Sequence, residues 1–385
     1  MKSVLLTALC AAPLVCVAQT TPALSTADGA SRVTLDPVLV TASRTPQAQS
    51  QTLASTIVID RAQIEAAQAG DVADLLRFNA GLDIGRTGGP GQLTSVFIRG
   101  GESNHTLVLI DGVRVNPATS GGGALQNLSP EMIERIEIVK GPRTTLYGSD
   151  AIAGVINIIT RSAGQQQIDA AIRAGAYGTV DGSAGYRNRV GDYGLSVQTD
   201  QQKSEGFPAC AGASSNSGFR NNSVTAKASA DTGVAHFEAR AFNAQGKTDT
   251  YDFCGPGGFN PTAQEFRNQT LALSASSQLL SIWASTLTFS RGEDRIRQYD
   301  SADFVRTIRP QLDWQNTVAV LPGLRALFGG QVYQERVNAD SFGPPVINSD
   351  VAARLQLVAE TRRGWRFGNV VVDGMSAGQL VDFGG

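Results

Sequence analysis

The chain has little of what most enzymes and metalloproteins use. Its 385 residues include only two histidines, four cysteines and three methionines. His105 and His236 lie far apart without metal-ligand spacing, and the sequence contains no nucleophile elbow or phosphate-binding loop. We therefore predict no catalytic residues and no enzymatic activity, and we expect no organic cofactor.

An excess of one charge is also lacking. Lys and Arg number 32 against 34 Asp and Glu, so the net charge is only -2. No basic field exists to attract the phosphates of a nucleic acid. After the first residues, no apolar run approaches the roughly 20 residues of a membrane-spanning helix. If the chain crosses a membrane, it must do so with strands.

The N-terminus has the pattern of a secretory signal peptide. Lys2 gives a minimal basic region, residues 4–17 form an apolar segment, and Cys16-Val17-Ala18 is a small-residue cleavage site. A single membrane anchor is the alternative, but the run is too short for one. We predict a signal peptide at 1–18 and export of the chain from the cytoplasm.

A dense block of motifs covers residues 96–161, which read VFIRGGESNHTLVLIDGVRVN and, further on, IERIEIVKGPRTTLYGSDAIAGVINIITR. Leu107 to Ile110 reads as a buried strand, and Asp111-Gly112 suits a tight hairpin turn. Ser129 precedes a short helix at 130–133, and β-branched runs follow at 136–139 and 155–159. The block predicts a compact, glycine-rich mixed sheet.

Two helices are predicted before this block. Asp60 can cap a helix over 61–69, and Asp71 can cap a second over 72–79. Gly81 is placed to adopt a left-handed turn at the end of the second helix. These helices would complete an α/β unit with the strands that follow.

From Gln167 onward the chain alternates apolar and polar residues in segments of about ten. Short connections alternate with long polar ones at 205–220, 246–264, 292–303 and 338–349, which is typical of membrane barrels with short turns on one side. A soluble β-sandwich is the alternative, but it would not explain the asymmetry. The predicted strands are 168–176, 180–189, 193–204, 222–231, 234–244, 266–279, 283–291, 305–320, 324–337, 350–360 and 365–372.

The order of the motifs in 96–161 resembles the plug of TonB-dependent receptors, and within that group the vitamin (cobalamin) transporters. The resemblance covers roughly residues 35–200. It implies an α+β plug domain followed by an antiparallel transmembrane β-barrel in the outer membrane of a Gram-negative bacterium. Because plugged transporters have 22 strands and about eleven are predicted here, we expect an incomplete barrel and a C-terminally truncated chain that does not insert stably. The expected domains are the signal peptide, a periplasmic tether at 19–50, the plug at 51–165, half of the barrel at 166–372 and an atypical tail at 373–385.

The resemblance also implies a Ton box at 35–45 in the tether. An extended peptide there would add as a strand to TonB, the inner-membrane energy-coupling partner. The alternative is that Val38 to Val40 is simply a first plug strand. The predicted TonB-binding residues are Asp36, Pro37, Val38, Leu39, Val40, Thr41 and Ala42.

Two glycine-rich loops, 85–91 and 116–124, correspond to plug loops that face the substrate in this family. Their alternative role is that of ordinary flexible turns. The predicted substrate-binding residues are Arg86, Thr87, Gly121, Gly122 and Ala124. The residues predicted to have structural roles in the plug are Arg99, Gly100, Asp111, Gly112, Gly141, Pro142 and Arg143. We expect carboxylates of the wall or plug to hold Arg99 and Arg143.

The cysteines that remain after cleavage of the signal peptide are Cys210 and Cys254, in the loops 205–220 and 246–264. Both loops would lie on the oxidising outer side, so a disulfide is expected. In the cobalamin transporters these loops carry calcium-binding aspartates. Here the first loop has only Glu205 as an acid, which argues against calcium, although Asp249 and Asp252 remain candidate oxygen ligands.

The resemblance favours uptake of cobalamin or another corrinoid. The alternative substrate is a ferric siderophore, because the outer loops hold Phe253, Phe259, Arg295 and Tyr299. A third reading is a truncated fragment that transports nothing. In each case outer-membrane lipid surrounds the wall.

Overall fold

The computed structural model describes residues 39–40, 47–48, 54–79, 81–148, 150–255, 258–299, 303–321, 324–340 and 346–359. Within these ranges no helix has the length and apolar character required to cross a membrane. The predicted signal peptide, most of the tether, and the last predicted strand at 365–372 lie outside the described residues. The strands of the first part are β1 (Leu39–Val40), β2 (Gln47–Ala48), β3 (Ser55–Ile59), β4 (Leu82–Arg86), β5 (Thr94–Ile98), β6 (Thr106–Ile110), β7 (Val113–Arg114), β8 (Ile133–Lys140) and β9 (Gly154–Thr160).

The plug is built on a five-stranded sheet in the order β3-β8-β9-β6-β7. Strands β6 and β9 pair in parallel, whereas the other neighbours are antiparallel. The two central strands β8 and β9 carry β-branched residues on both faces, so they are buried on both sides. Among the described residues, the largest fully buried side chains lie mainly in these strands and the elements that cover them: Leu76, Ile98, Leu107, Ile110, Leu125, Met132, Ile133, Ile136, Glu137, Ile138, Ile156 and Ile158.

The helices lie where the sequence predicts them. Helix α1 (Arg61–Ala67) begins at Asp60, which forms a capping box with Gln63. Helix α2 (Val72–Arg77) begins at Asp71, whose carboxylate accepts the Asp74 amide. Both end two residues before their predicted ends. In the described part of the chain, the remaining helical segments are α3 (Thr144–Tyr147) and three 3-10 turns at Ser103–His105, Leu125–Asn127 and Pro130–Met132.

A ten-stranded antiparallel sheet follows, with its strands in sequence order. The predicted fold class, an α+β plug followed by an antiparallel sheet, is therefore confirmed. Each of the first ten predicted segments overlaps one observed strand. The strands are β10 (Gln167–Gly175), β11 (Thr179–Val190), β12 (Tyr193–Ser204), β13 (Phe219–Asp231), β14 (His236–Gly255), β15 (Gly258–Leu280), β16 (Trp283–Gln298), β17 (Phe304–Leu321), β18 (Leu324–Ala339) and β19 (Val346–Ala359).

The predictions of long loops at 246–264 and 292–303 are wrong. Residues 246–255 and 258–264 continue strands β14 and β15, and residues 292–298 continue β16. The backbone ladder of an antiparallel hairpin is closed by main-chain groups, so it can continue through polar residues where side-chain alternation no longer signals a strand. The segment 205–218 remains a true loop. Tight turns therefore still lie at one edge of the sheet, and the loop and extended hairpins lie at the other, which we call the loop edge.

The sheet has two chemically different faces. In β12 buried and exposed residues alternate without exception, and the buried positions are Gly194, Ser196, Gln198, Asp200, Gln202 and Ser204. This polar inner face is turned toward the plug. On the outer face one cross-strand row is entirely apolar, and its members pair in register across seven strands: Leu195, Ala228, Ala239, Leu273, Phe289, Leu312 and Val332.

The loop 205–218 is tied to strand β14 by a disulfide. Cys210 and Cys254 are bonded, with their Cα atoms 5.7 Å apart and a sequence separation of 44. Cys210 itself is buried. The disulfide therefore fixes the loop against the hairpin formed by β14 and β15.

Replacing both cysteines, as Cys210→Ser with Cys254→Ser, should destabilise the chain by about 3–4 kcal/mol, because the bond closes a long loop of the unfolded chain. Denaturation of the oxidised protein and of the variant in detergent micelles measures the difference. Alkylation of unreduced protein followed by peptide mapping is the control: labelled Cys210 and Cys254 peptides would contradict the disulfide.

Candidate functional site

The Asp111-Gly112 turn lies where the plug meets the ten-stranded sheet, which we call the wall. Asp111 and Gly112 have φ angles of 49° and 81°, so the two residues form the left-handed turn that closes β6 onto β7. The Asp111 amide donates to Ile158 O at 2.8 Å. The turn therefore projects the Asp111 carboxylate from the end of the plug sheet.

Lys227 on β13 reaches into this turn from the wall. Its Nζ lies 2.7 Å from Asp111 Oδ1, and it also donates to Thr160 O at 2.6 Å and to Ser162 Oγ at 3.3 Å. All three ammonium protons thus have acceptors on the plug side. We call this contact, formed by Asp111, Thr160 and Lys227, the plug lock.

Plug residues complete the coordination of the Asp111 carboxylate. Thr160 donates its amide to Oδ1 at 2.9 Å and its hydroxyl to Oδ2 at 2.6 Å. Burial alone would raise the pKa of Asp111, but the Lys227 ammonium and the Thr160 hydrogen bonds outweigh it and hold that pKa below its usual value. Arg240 on β14 adds a second link by donating to Asp111 O at 2.8 Å.

The first glycine-rich loop runs along the inner wall near the loop edge. Gly91 has a φ angle of +73°, and a Cβ atom there would collide with the Phe219 ring of β13. Gln92 donates from Nε2 to Asp249 O at 2.8 Å, and Thr248 donates to Gly91 O at 3.3 Å. A glycine is therefore required for the backbone to approach the wall this closely.

Arg86 and Thr87, both predicted to bind substrate, differ in their surroundings. The Arg86 guanidinium is held by Asp71, with Nη2 to Oδ2 at 2.6 Å, and it also donates to Thr94 at 3.2 Å. Thr87 is exposed, and its amide donates to Leu93 O at 3.1 Å. The Arg86 side chain thus braces strands β4 and β5 against helix α2, whereas Thr87 remains accessible. These two strands were not predicted from the sequence.

The second glycine-rich loop is fastened by Asn116. This buried side chain accepts the Val108 amide at 2.7 Å and donates to Thr106 O at 2.9 Å and Gly121 O at 2.7 Å. Gly122 has no atom within 4 Å of the place where a Cβ would lie. The loop therefore has a fixed base and an open tip.

The wall and the plug also meet through side-chain amides. Asn221 donates to Asn127 O at 2.9 Å, and Asn127 donates to Asn268 at 2.8 Å. Gln202 donates to Gly70 O at 3.1 Å. The sequence did not single out Gln202, Asn221 and Asn268, because each is an inward position in an otherwise ordinary strand. The only signal was that the inward positions of these strands are polar.

The structure places Arg99 and Arg143 at turns. Arg99 and Gly100 both have positive φ angles, of 52° and 76°, and Gly141 has a φ angle of 99°. Arg143 Nη1 donates to Pro142 O at 3.0 Å. Among the described residues no carboxylate lies within 4 Å of Arg99 or Arg143, so that expectation is not met there. Burial lowers the pKa of Arg143 below its usual value.

Of the predicted Ton box, only Leu39 and Val40 are described, and they pair with Gln47 and Ala48 in a separate two-stranded sheet. The predicted residues Asp36, Pro37, Val38, Thr41 and Ala42 lie outside the described residues. Strand β1 is thus not a strand of the five-stranded plug sheet. Leu39 and Val40 are extended in this pairing.

Asp249 and Asp252 are the candidate calcium ligands. The Asp249 carboxylate lies 3.3 Å from Lys247 Nζ, and the side chain of Asp252 lies outside the described residues. In the part of the chain that is described, no three acidic, histidine or cysteine side chains gather as a metal site would require. Calcium needs six to eight oxygen ligands. The described residues therefore do not support a calcium site.

The plug lock makes a testable energetic prediction. Lys227→Met should lower the free energy of unfolding by about 3–5 kcal/mol, because it leaves a buried carboxylate without its cation. Asp111→Asn with Lys227→Met should cost less than the two single changes summed. Denaturant unfolding, monitored by hydrogen exchange of the 154–161 peptide, measures these free energies. Lys203→Met on the outer face is the control. Strict additivity would contradict the pairing.

The lock should also open in acid. The pKa of Asp111 is depressed in the folded chain, so its contribution is present above the unfolded value of about 3.9 and is lost as pH falls through the lower folded pKa. Hydrogen exchange of the β6–β7 hairpin between roughly pH 2 and 5 measures this. The Asp111→Asn variant should show no such transition, and an Asp83→Asn control should keep it.

The sequence comparisons agree with this geometry. The family model for the TonB-dependent receptor plug domain matches residues 48–155. The vitamin B12 transporter BtuB of Vibrio vulnificus strain YJ016 is 47% identical over 133 residues, which are 34% of this chain and 22% of that protein. Its counterpart in strain CMCP6 is 49% identical over 129 residues, 34% of this chain and 21% of that protein. The matched segment thus spans about a fifth of these curated relatives.

Solved structures share the fold across most of the chain. The FrpB iron transporter of Neisseria meningitidis has a TM-score of 0.69 at 11% identity and covers 80% of this chain and 57% of its own. The siderophore receptor PirA of Pseudomonas aeruginosa has a TM-score of 0.63 at 18% identity, covering 83% and 57%. The relatives are transporters and receptors rather than enzymes. Residues 48–155 therefore belong to the TonB-dependent receptor plug domain family, and the long sheet shares the fold of these solved transporters and receptors.

Proposed function

We propose that the chain provides the plug and adjoining wall of an outer-membrane receptor that takes up cobalamin or another corrinoid. The observation that carries this proposal is the 47% identity to a vitamin B12 transporter over 133 residues. The proposal also includes the location, which is the outer membrane of a Gram-negative bacterium.

The outer face of the sheet supports this location. The apolar row would face lipid, and aromatic side chains lie on its tight-turn side. Trp283 donates to Asn316 at 3.0 Å, and the rings of Trp314 and Phe328 meet edge to face at 6.2 Å. Aromatic side chains with one polar atom favour the membrane–water interface. A sheet that is polar toward the plug and apolar outside is suited to a membrane wall.

The two glycine-rich loops supply the corrinoid contacts in this proposal. Thr87, Gly121, Gly122 and Ala124 offer backbone groups and small side chains, which suit a bulky ligand that must approach the main chain closely. Arg86 contributes through its backbone, since Asp71 holds its guanidinium. The fixed base of each loop would limit the entropy lost on binding.

The energy for uptake would come from TonB. The predicted Ton box, residues 36–42, would add as a strand to a sheet of that partner, with affinity supplied by main-chain hydrogen bonds. A pull on this segment would have to disrupt the contacts between the plug and the wall. The buried plug lock is one of these contacts, so its rupture would be a step in release of the substrate.

A ferric siderophore is the second candidate substrate, because siderophore receptors share the fold. Two of the four loop residues that favoured it do not face the plug. Arg295 lies on the outer face, where its guanidinium stands 5.9 Å from the Phe304 ring centroid, and the Tyr299 ring lies 5.0 Å from Lys247 Nζ. This placement favours the corrinoid over the siderophore.

Binding to the chain in detergent micelles tests the substrate. Cyanocobalamin should bind more tightly than any ferric siderophore in a panel, and Gly122→Trp should weaken it at least about tenfold, because the new ring would fill the open loop tip. Gly164→Trp is the matched control, since Gly164 also has open space around it but lies outside both loops. Tighter siderophore binding, or equal loss in both variants, would contradict the proposal.

A further inference from the structure

The outer face carries a concentrated basic surface near the loop edge. A cavity of about 490 Å³ lies there on strands β13 to β16. Five of its lining side chains are basic and one, Glu265, is acidic. We call the basic residues the basic cluster: Arg220, Lys247, Arg267, Arg295 and Arg297.

The strand register places like charges directly opposite each other. Arg267 on β15 is paired with Arg295 on β16, and Arg220 on β13 is paired with Lys247 on β14. Like charges at paired positions destabilise a sheet. A second anionic component would remove this repulsion.

The protein itself supplies one carboxylate in register with the cluster, because Glu265 on β15 is paired with Lys247 on one side and with Arg297 on the other. Within the described ranges no carboxylate lies within 4 Å of Arg220, Arg267, Arg295 or Arg297, and only Lys247 has one, Asp249 at 3.3 Å. The neighbouring outer-face residues Arg291 and Arg306, in contrast, have a carboxylate partner, because Glu293 lies 2.6 Å from Arg291 and 2.8 Å from Arg306. The basic cluster is therefore set apart by its incomplete counter-charge.

The distance of the cluster from the far end of the apolar face indicates its depth in the membrane. On β15 the outward positions run from Arg267 at the loop side to Leu279 near the tight turns, twelve residues apart. At roughly 3.3 Å per residue and a tilt of about 45°, this distance corresponds to about 28 Å along the membrane normal. That is close to the hydrocarbon thickness of a bilayer, so the cluster would lie at the depth of the lipid headgroups.

The geometry points to a binding site for the phosphate groups of an anionic lipid in the loop-side leaflet. Five cations against one carboxylate match a headgroup with two phosphates, each of which carries about -1.5 to -2 charges. Guanidinium groups bind phosphate oxygens in pairs, and the lipid's acyl chains would pack on the apolar row. This inference rests on the membrane placement in the proposed function.

Native mass spectrometry of the full chain in micelles tests this site with a bisphosphorylated lipid A as the probe. The wild type should retain this lipid in preference to phosphatidylcholine. Arg267→Gln with Arg295→Gln should weaken retention roughly 30-fold, since each basic residue near a membrane surface favours anionic lipid. Glu265→Gln should strengthen it, and a gain of binding cannot come from misfolding.

Arg336→Gln is the matched control, because Arg336 is exposed on the outer face of β18, two strands from the cluster. Equal loss in this control, or equal retention of phosphatidylcholine, would overturn the inference. Competition by inorganic pyrophosphate as effective as lipid A would also overturn it, because free phosphate would then be the ligand. Cyanocobalamin binding is read separately in the same micelles, so failure of one proposal leaves the other measurable.

Discussion

The buried ion pair between Asp111 and Lys227 is the contact on which the arrangement of plug and wall depends. It joins residues 116 apart in sequence, and every proton of the ammonium has an acceptor. A buried pair of this kind adds little stability over an apolar contact, yet breaking it leaves an uncompensated charge. It therefore specifies one position of the hairpin against the wall while remaining a contact that force or acid can open.

The second constraint is the difference between the two faces of the long sheet. Inward positions are polar because they meet backbone and amide groups of the plug, as Asn221 meets Asn127. Outward positions are apolar along one row, with aromatic side chains on one side of it and the basic cluster on the other. The same alternation of residues thus supplies a polar face to the plug and an apolar face to the membrane. Because the aromatic side chains and the basic cluster lie on opposite sides of the apolar row, they distinguish the two ends of the strands.

Local sequence signals predicted much of this fold. Asp60 and Asp71 cap helices, Asp111-Gly112 closes a hairpin, and the strands of the sheet follow alternation. The failures have physical causes. Strands β14 and β15 extend through polar residues because main-chain pairing does not require apolar side chains. Arg86 lies against Asp71 and Lys227 against Asp111 through tertiary contacts, which no local pattern encodes.

A carbon-detected NMR titration of the Asp111 carboxyl group in the folded chain tests the plug lock most directly. The account predicts a pKa below the ordinary aspartate value of about 3.9 in the wild type, and a higher pKa in Lys227→Met, where burial acts without the cation. An unshifted or raised pKa in the wild type, or the same pKa in both proteins, would contradict it.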